Sequence, residues 1–203
     1  MVSSPPSSSA PSPVYLPDGD FDLVKILIVG PFGIGKTTAI ETVSEIRSLH
    51  TEEPMTQAAA SVDDLVVDGK STTTVAIDFG RITLGGTRIV LYLFGTPGQE
   101  RFRVIWEDIA QGALGALVLV DTRRLDASFE VMDLVEDAGL DYVVALNRFP
   151  DTPAHELDLV RKKLDLEDHT PLVTCDARDR TSVLDALRTL ADHLVSRAGA
   201  DLS

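Results

Sequence analysis

Residues 30–37 read Gly-Pro-Phe-Gly-Ile-Gly-Lys-Thr, and the spacing GxxxxGK[ST] is that of a loop built to hold phosphate. Glycines let successive backbone N–H groups turn inward around an anion. A helix opening near Lys36 would aim its positive end at the same point. The Lys36 ammonium would then reach the outer phosphates, and the Thr37 hydroxyl would ligate Mg²⁺. On this reading Phe32, Gly33, Ile34, Gly35, Lys36, Thr37 and Thr38 form the wall around the ligand. Such letters also arise by chance in glycine-rich turns. Here Lys25–Val29, a short apolar and β-branched run, precedes the loop and reads as a buried strand. Ile40, Val43, Ile46 and Leu49 follow it at helical spacing, which predicts a helix over Thr37–Leu49.

The elements that must position this loop follow the same logic. Thr74–Leu84 and Thr87–Phe94 alternate apolar and polar residues around Gly85-Gly86 and predict a hairpin. Leu114–Val120, Tyr142–Leu146 and Leu172–Thr174 predict three more buried strands. Helical patterns lie between and after them at Leu125–Ala138, Pro153–Leu164 and Thr181–Val195, with Pro153 expected in a first turn. Strands alternating with helices imply an α/β domain whose mostly parallel sheet is covered on both faces. Six strands are expected, five parallel and one antiparallel at the edge. His50–Lys70 is polar and interrupted by Pro54, with room for a short helix.

Composition bounds the reading. The chain has 203 residues, 18 basic and 32 acidic side chains, a formal charge of −14 and one cysteine. An excess of acid disfavours binding to nucleic acid or to anionic lipid, both of which require Lys and Arg. A lone Cys175 makes no internal disulfide and no zinc set, which suits a reducing, cytoplasmic setting. No secretory, acylation or prenylation signal and no integral membrane segment is expected. Eleven of the first twenty residues are Ser or Pro, so residues 1–20 are expected to be a disordered tail, 21–198 the folded domain and 199–203 a flexible end.

Three further stretches carry chemistry. Phe94-Gly-Thr-Pro-Gly98-Gln99-Glu100-Arg101-Phe102 follows the hairpin, Asn147-Arg-Phe-Pro-Asp151 follows a strand, and Cys175-Asp176-Ala177 follows the last strand. Together with the phosphate loop they resemble, in order and in local setting, the Ras-like small GTPases. Their second switch usually reads Asp-Thr-Ala-Gly-Gln-Glu and their base-reading motif Asn-Lys-x-Asp. Gly95 and Pro97 depart from that pattern. With Gly-Pro-Phe-Gly and the Asp-Phe-Gly stretch at 78–80 they resemble the bacterial MglA-like GTPases, especially the G proteins of actinobacterial conservon operons.

The resemblance implies a P-loop NTPase with a Ras-like G domain that binds GTP or GDP with Mg²⁺ and acts as a switch with slow hydrolysis. It implies Gly98 at the nucleotide and Gln99 orienting the attacking water. It implies Asn147, Arg148, Asp151 and Ala177 around the guanine base, Ala177 through its backbone N–H. With glycine at 95, the metal set expected is Thr37, Thr74 and Asp78, the last through water; a buried carboxylate held by backbone is the other reading of Asp78. Pro150 stands where the base-reading aspartate belongs, so Asp151 fits either the base or a helix cap. Thr73 stands where MglA carries an arginine acting within its own chain. Partners implied are a roadblock/LC7-domain protein and a sensor-kinase-like protein, with any membrane recruitment left to them. A binder of ATP or of any nucleotide, and a non-hydrolysing interaction module, are the rival readings.

The remaining candidates read as ordinary structure. His50, His155, His169 and His193 show no ligand spacing. Arg123-Arg124 reads as a solvated turn after Asp121. Phe102, Trp106 and Ile109 make a helical stripe that fits core or partner surface equally. The Phe32 ring within the phosphate loop either crowds the γ-phosphate side or packs outward.

Overall fold

The computed structural model describes residues 19–55, 73–97, 106–150, 152–153 and 155–200. The element order is β1 (Asp22–Val29), α1 (Lys36–Val43), β2 (Leu49–Met55), β3 (Thr73–Thr83), β4 (Ile89–Gly95), α2 (Trp106–Ala110), β5 (Ala113–Val120), α3 (Asp126–Asp137), β6 (Tyr142–Asn147), α4 (Leu157–Lys163), β7 (Leu172–Cys175) and α5 (Arg180–Ala200). A single 3-10 turn, Thr122–Arg124, joins β5 to α3. Residues 1–18 of the proposed tail lie outside the described residues, as do Gly98, Gln99, Arg101, Phe102, Asp151 and residues 201–203.

The strands form one mixed sheet in the order β2-β3-β4-β1-β5-β6-β7. β4, β1, β5, β6 and β7 run parallel, whereas β3 is antiparallel to both β2 and β4. All six expected strands are present, and the α/β architecture with flanking helices is the one expected. β2 is a seventh strand outside them, so the antiparallel β3 sits one place in from the edge. The polar, proline-bearing stretch that hid β2 is compatible with an edge, where a residue without an N–H is tolerated; Pro54 pairs with Thr74 there.

Leu49 therefore belongs to β2 and not to the first helix, which is shorter than its apolar spacing suggests. Ser44 ends α1 with an extended backbone, φ −61° and ψ 139°. Its hydroxyl donates to the Ile46 carbonyl at 2.8 Å and accepts from the Ile46 and Arg81 amides at 3.3 and 3.2 Å. A serine side chain that bonds nearby backbone competes with the helix ladder. Arg180 meanwhile donates to the last-turn carbonyls of Thr42 and Val43 at 3.0 and 2.8 Å. α4 also begins later than expected: extended Glu156 caps it, which leaves Pro153 in the preceding connection.

Two apolar layers flank the sheet. Ile26, Ile28, Leu117 and Leu119 pack with α1 and α5 on one face. Leu27, Val29, Val118 and Val120 pack with α2, α3 and α4 on the other. Trp106 belongs to this second core, and its indole N–H donates to Leu134 at 2.9 Å. That places the Trp106 and Ile109 part of the stripe in the core. No helix among the described residues is long and apolar enough to cross a membrane.

Cys175 ends β7 within the first of these layers and is 1 % exposed. Burial pushes its thiol up to about 11 from an ordinary 9.0. Since the thiolate is the reactive form, alkylation at pH 8 should run at least a hundredfold slower in the native protein than in urea. A native rate within tenfold of the unfolded rate would contradict this packing.

Candidate functional site

β1 and β6 end at the same edge of the sheet, which brings the phosphate loop beside the Asn147 loop. The loop between β1 and α1 bends through Gly33 at φ +75° and Gly35 at φ +105°. Gly35 also lies so close to Asn147 that a Cβ there would sit 2.9 Å from its side-chain nitrogen. Phe32, Gly33, Gly35, Lys36, Thr37, Thr38, Asp78, Thr96 and Pro97 line one cleft at this edge. Ile34 is fully buried, and only its backbone faces the neighbouring loop.

Lys36 is 9 % exposed and folds back onto the loop, donating to the Gly30 carbonyl at 2.7 Å and the Pro31 carbonyl at 2.9 Å. Burial pushes its ammonium down to about 8, while the charge of Asp78 pulls it up. A lysine kept in this state is a cation held ready for phosphate, and a bound polyanion would return it to full charge.

Asp78 and Gly95 face each other across β3 and β4. A Cβ on Gly95 would lie 2.9 Å from the Asp78 Cβ and 3.1 Å from its Oδ2. The position without a side chain is therefore what lets the Asp78 carboxylate turn toward α1, where the Thr37 hydroxyl donates to it. A hydroxyl and a carboxylate oxygen at one wall of a phosphate cleft are hard oxygen donors, and this set fits Mg²⁺ completed by water and phosphate oxygens. Thr74 lies in β3 opposite Pro54, and its side chain is outside those described.

On the base side, the Asn147 amide is 3 % exposed and bonded at both its nitrogen and its oxygen. It donates to the Ile34 carbonyl at 2.7 Å and accepts from the Ala177 N–H at 3.0 Å. The Ala177 N–H assigned to a guanine oxygen is thus directed at Asn147 here. The Arg148 side chain is exposed, and its backbone N–H donates to Cys175 at 2.7 Å. Phe32 stands at the cleft rim with 70 % exposure, and Arg124 bonds its carbonyl at 3.3 Å. The ring is thus solvent-exposed at the mouth of the cleft it helps to line.

The sequence reading missed two clamps. Arg123 forks onto Asp121 and Arg178 onto Asp176, with the closest contacts at 2.7 and 2.8 Å, and in each case the Arg backbone N–H also bonds the Asp side chain. Arg123 is therefore a clamped residue within its turn. The signal was present as Asp-x-Arg directly after a strand, twice.

A phosphate loop between the first strand and helix of this sheet, with Lys36, Thr37 and Asp78 at one cleft, defines a nucleotide-binding P-loop NTPase related to Ras-like GTPases. Residues 28–197 match the family described as conserved hypothetical ATP binding protein, and the chain belongs to that family. It is 30 % identical over 130 residues to an uncharacterized protein of Methanocaldococcus jannaschii, a match covering 63 % of this chain and 71 % of the other. It is 25 % identical over 189 residues to the Ras-related protein Rab-7b of Homo sapiens, covering 86 % and 83 %. It is 25 % identical over 194 residues to the GTP-binding protein ypt1 of Schizosaccharomyces pombe, covering 90 % and 85 %.

Two outcomes follow. Nucleotide binding favours protonated Lys36, so above pH 8 binding should take up a proton and affinity should fall by about tenfold per pH unit. Calorimetry in buffers of different ionisation enthalpy between pH 7.5 and 9.5 reads both, and Lys36→Ala should abolish binding. Asp78→Ala should weaken Mg²⁺-dependent binding of a nucleoside triphosphate more than Mg²⁺-free binding of a diphosphate; equal losses in a magnesium titration would make Asp78 merely structural.

Proposed function

We propose that this protein is a GTP-dependent switch with slow hydrolysis, of the MglA-like and conservon type, acting in bacterial signalling through nucleotide-dependent binding of a protein partner. The observation that carries this reading is the meeting of Lys36, Thr37 and Asp78 at one cleft, with Asn147 bonded to the same loop. Mg²⁺ would be held by Thr37, Thr74 and Asp78 and would supply charge neutralisation between the phosphates. Lys36 would bind the outer phosphates, the N–H groups at the start of α1 would cradle them, and Gln99 would orient water. The segments on either side of the cleft would change surface with the state of the γ-phosphate. A roadblock/LC7-domain protein and a sensor-kinase-like protein are the partners proposed. Slow turnover is supported by Thr73 standing where an arginine would act from within the chain.

A second reading, selection of ATP or of neither base, is favoured by the family's description as ATP binding and by Pro150 in the base-reading position. Competition of GTP and ATP against a labelled guanine nucleotide decides between them; GTP is expected to win by at least tenfold. Single-turnover hydrolysis without an activator should fall at or below roughly 5 × 10⁻⁴ s⁻¹, the scale of unaided Ras. Phe32→Gly tests the exposed ring at the cleft: a faster rate marks crowding of the γ-phosphate side, and an unchanged rate marks a ring that packs outward. Faster unaided hydrolysis would remove the slow-switch reading.

A further inference from the structure

The base-side loop departs from its usual pattern immediately after Asn147, and the structure contains a support for it there. Asp121 directly follows β5, caps the Thr122–Arg124 turn and is 2 % exposed. Its carboxylate accepts from the Arg123 backbone N–H at 2.9 Å and from Nε and Nη2 of the same residue at 3.0 and 2.7 Å. Burial alone would raise the Asp121 carboxyl, yet the hydrogen bonds and charge of Arg123 hold it below its ordinary value. The guanidinium fixed in this way lies 4.2 Å from the centroid of the Phe149 ring. A planar, delocalised cation stacks on an aromatic face more readily than an ammonium does.

Phe149 is also the first residue of a turn. The Thr152 N–H donates to the Phe149 carbonyl at 3.1 Å, with Pro150 inside the turn. Upstream, Asn147 is locked at both ends of its amide. The segment between a fixed Asn147 and a fixed Phe149 therefore has little freedom, and Arg148 lies within it. Phe149 also packs against the core layer on the α1 and α5 face, and the Arg123 platform holds its ring from the other loop.

We propose that Arg123, held by Asp121 and stacked on Phe149, is a positioning residue for nucleotide base selection. It fixes the Asn147–Thr152 turn in a chain whose third residue after that asparagine is Pro150. The inference rests on the base being read at this loop. It does not depend on which base is read.

The test separates base selection from phosphate binding. Phe149→Leu removes the ring without exposing the Asp121 charge, Arg123→Lys keeps the charge but loses the fork, and Phe149→Tyr keeps the stack. Affinities for GTP, ATP and inorganic tripolyphosphate are measured by competition with Mg²⁺ present. In Phe149→Leu and Arg123→Lys the ratio of the two nucleotide affinities should shrink at least tenfold, with tripolyphosphate affinity unchanged within twofold, and Phe149→Tyr should keep the wild-type ratio. An unchanged ratio in both variants overturns the proposal, as does an equal loss of tripolyphosphate binding, which would mark general damage to the fold. A wild type that prefers ATP, with that preference lost in Phe149→Leu, would overturn the guanine reading and support the role of Arg123.

Discussion

The Asn147 side chain is the point at which the site is tied together. Three segments far apart in the chain meet on one buried amide: the phosphate loop through the Ile34 carbonyl, the end of β6, and the β7–α5 connection through the Ala177 N–H. A buried amide left without partners costs about 1–3 kcal/mol, so these segments hold one arrangement. The tie also dictates Gly35, where any Cβ would press on the same amide. Thr42 adds a parallel bond from α1 to the Ala177 carbonyl at 2.8 Å. The phosphate side and the base side are thus one rigid unit before any ligand enters.

Charge is arranged against the background of the molecule. A chain of net charge −14 must gather phosphates, and it does so locally, with the N–H groups opening α1 and a desolvated Lys36. Asp78 on β3 favours the charged form of that lysine against its burial. Position 95 carries no side chain, and a carboxylate stands directly across the ladder at 78. Only one of the paired positions can carry a side chain, because the gap between β3, β4 and Ile40 has room for one. Glycine at 95 and the carboxylate at 78 are thereby coupled through the space they share. The same economy of space marks the base side, where Pro150 lies inside a closed turn and follows a ring resting on a clamped arginine.

The sequence by itself determined the phosphate loop, six of the strands and the alternation of layers. These signals are local: glycine spacing, runs of β-branched residues and helical periodicity act within a few positions of one another. β2 escaped because an edge strand needs no apolar alternation, and α1 was overextended because its apolar spacing continues past a serine that ends the helix. The end of α1, the pairing of Asp78 with Gly95, the bridging by Asn147 and the stack of Arg123 on Phe149 were decided only by the tertiary structure. Each depends on partners distant along the chain, 113 positions apart for Asn147 and Ile34. Sequence spacing specifies which groups are present. Strand register and the shared edge of a parallel sheet specify which of them touch, and that follows from packing of the whole sheet against its two helical layers.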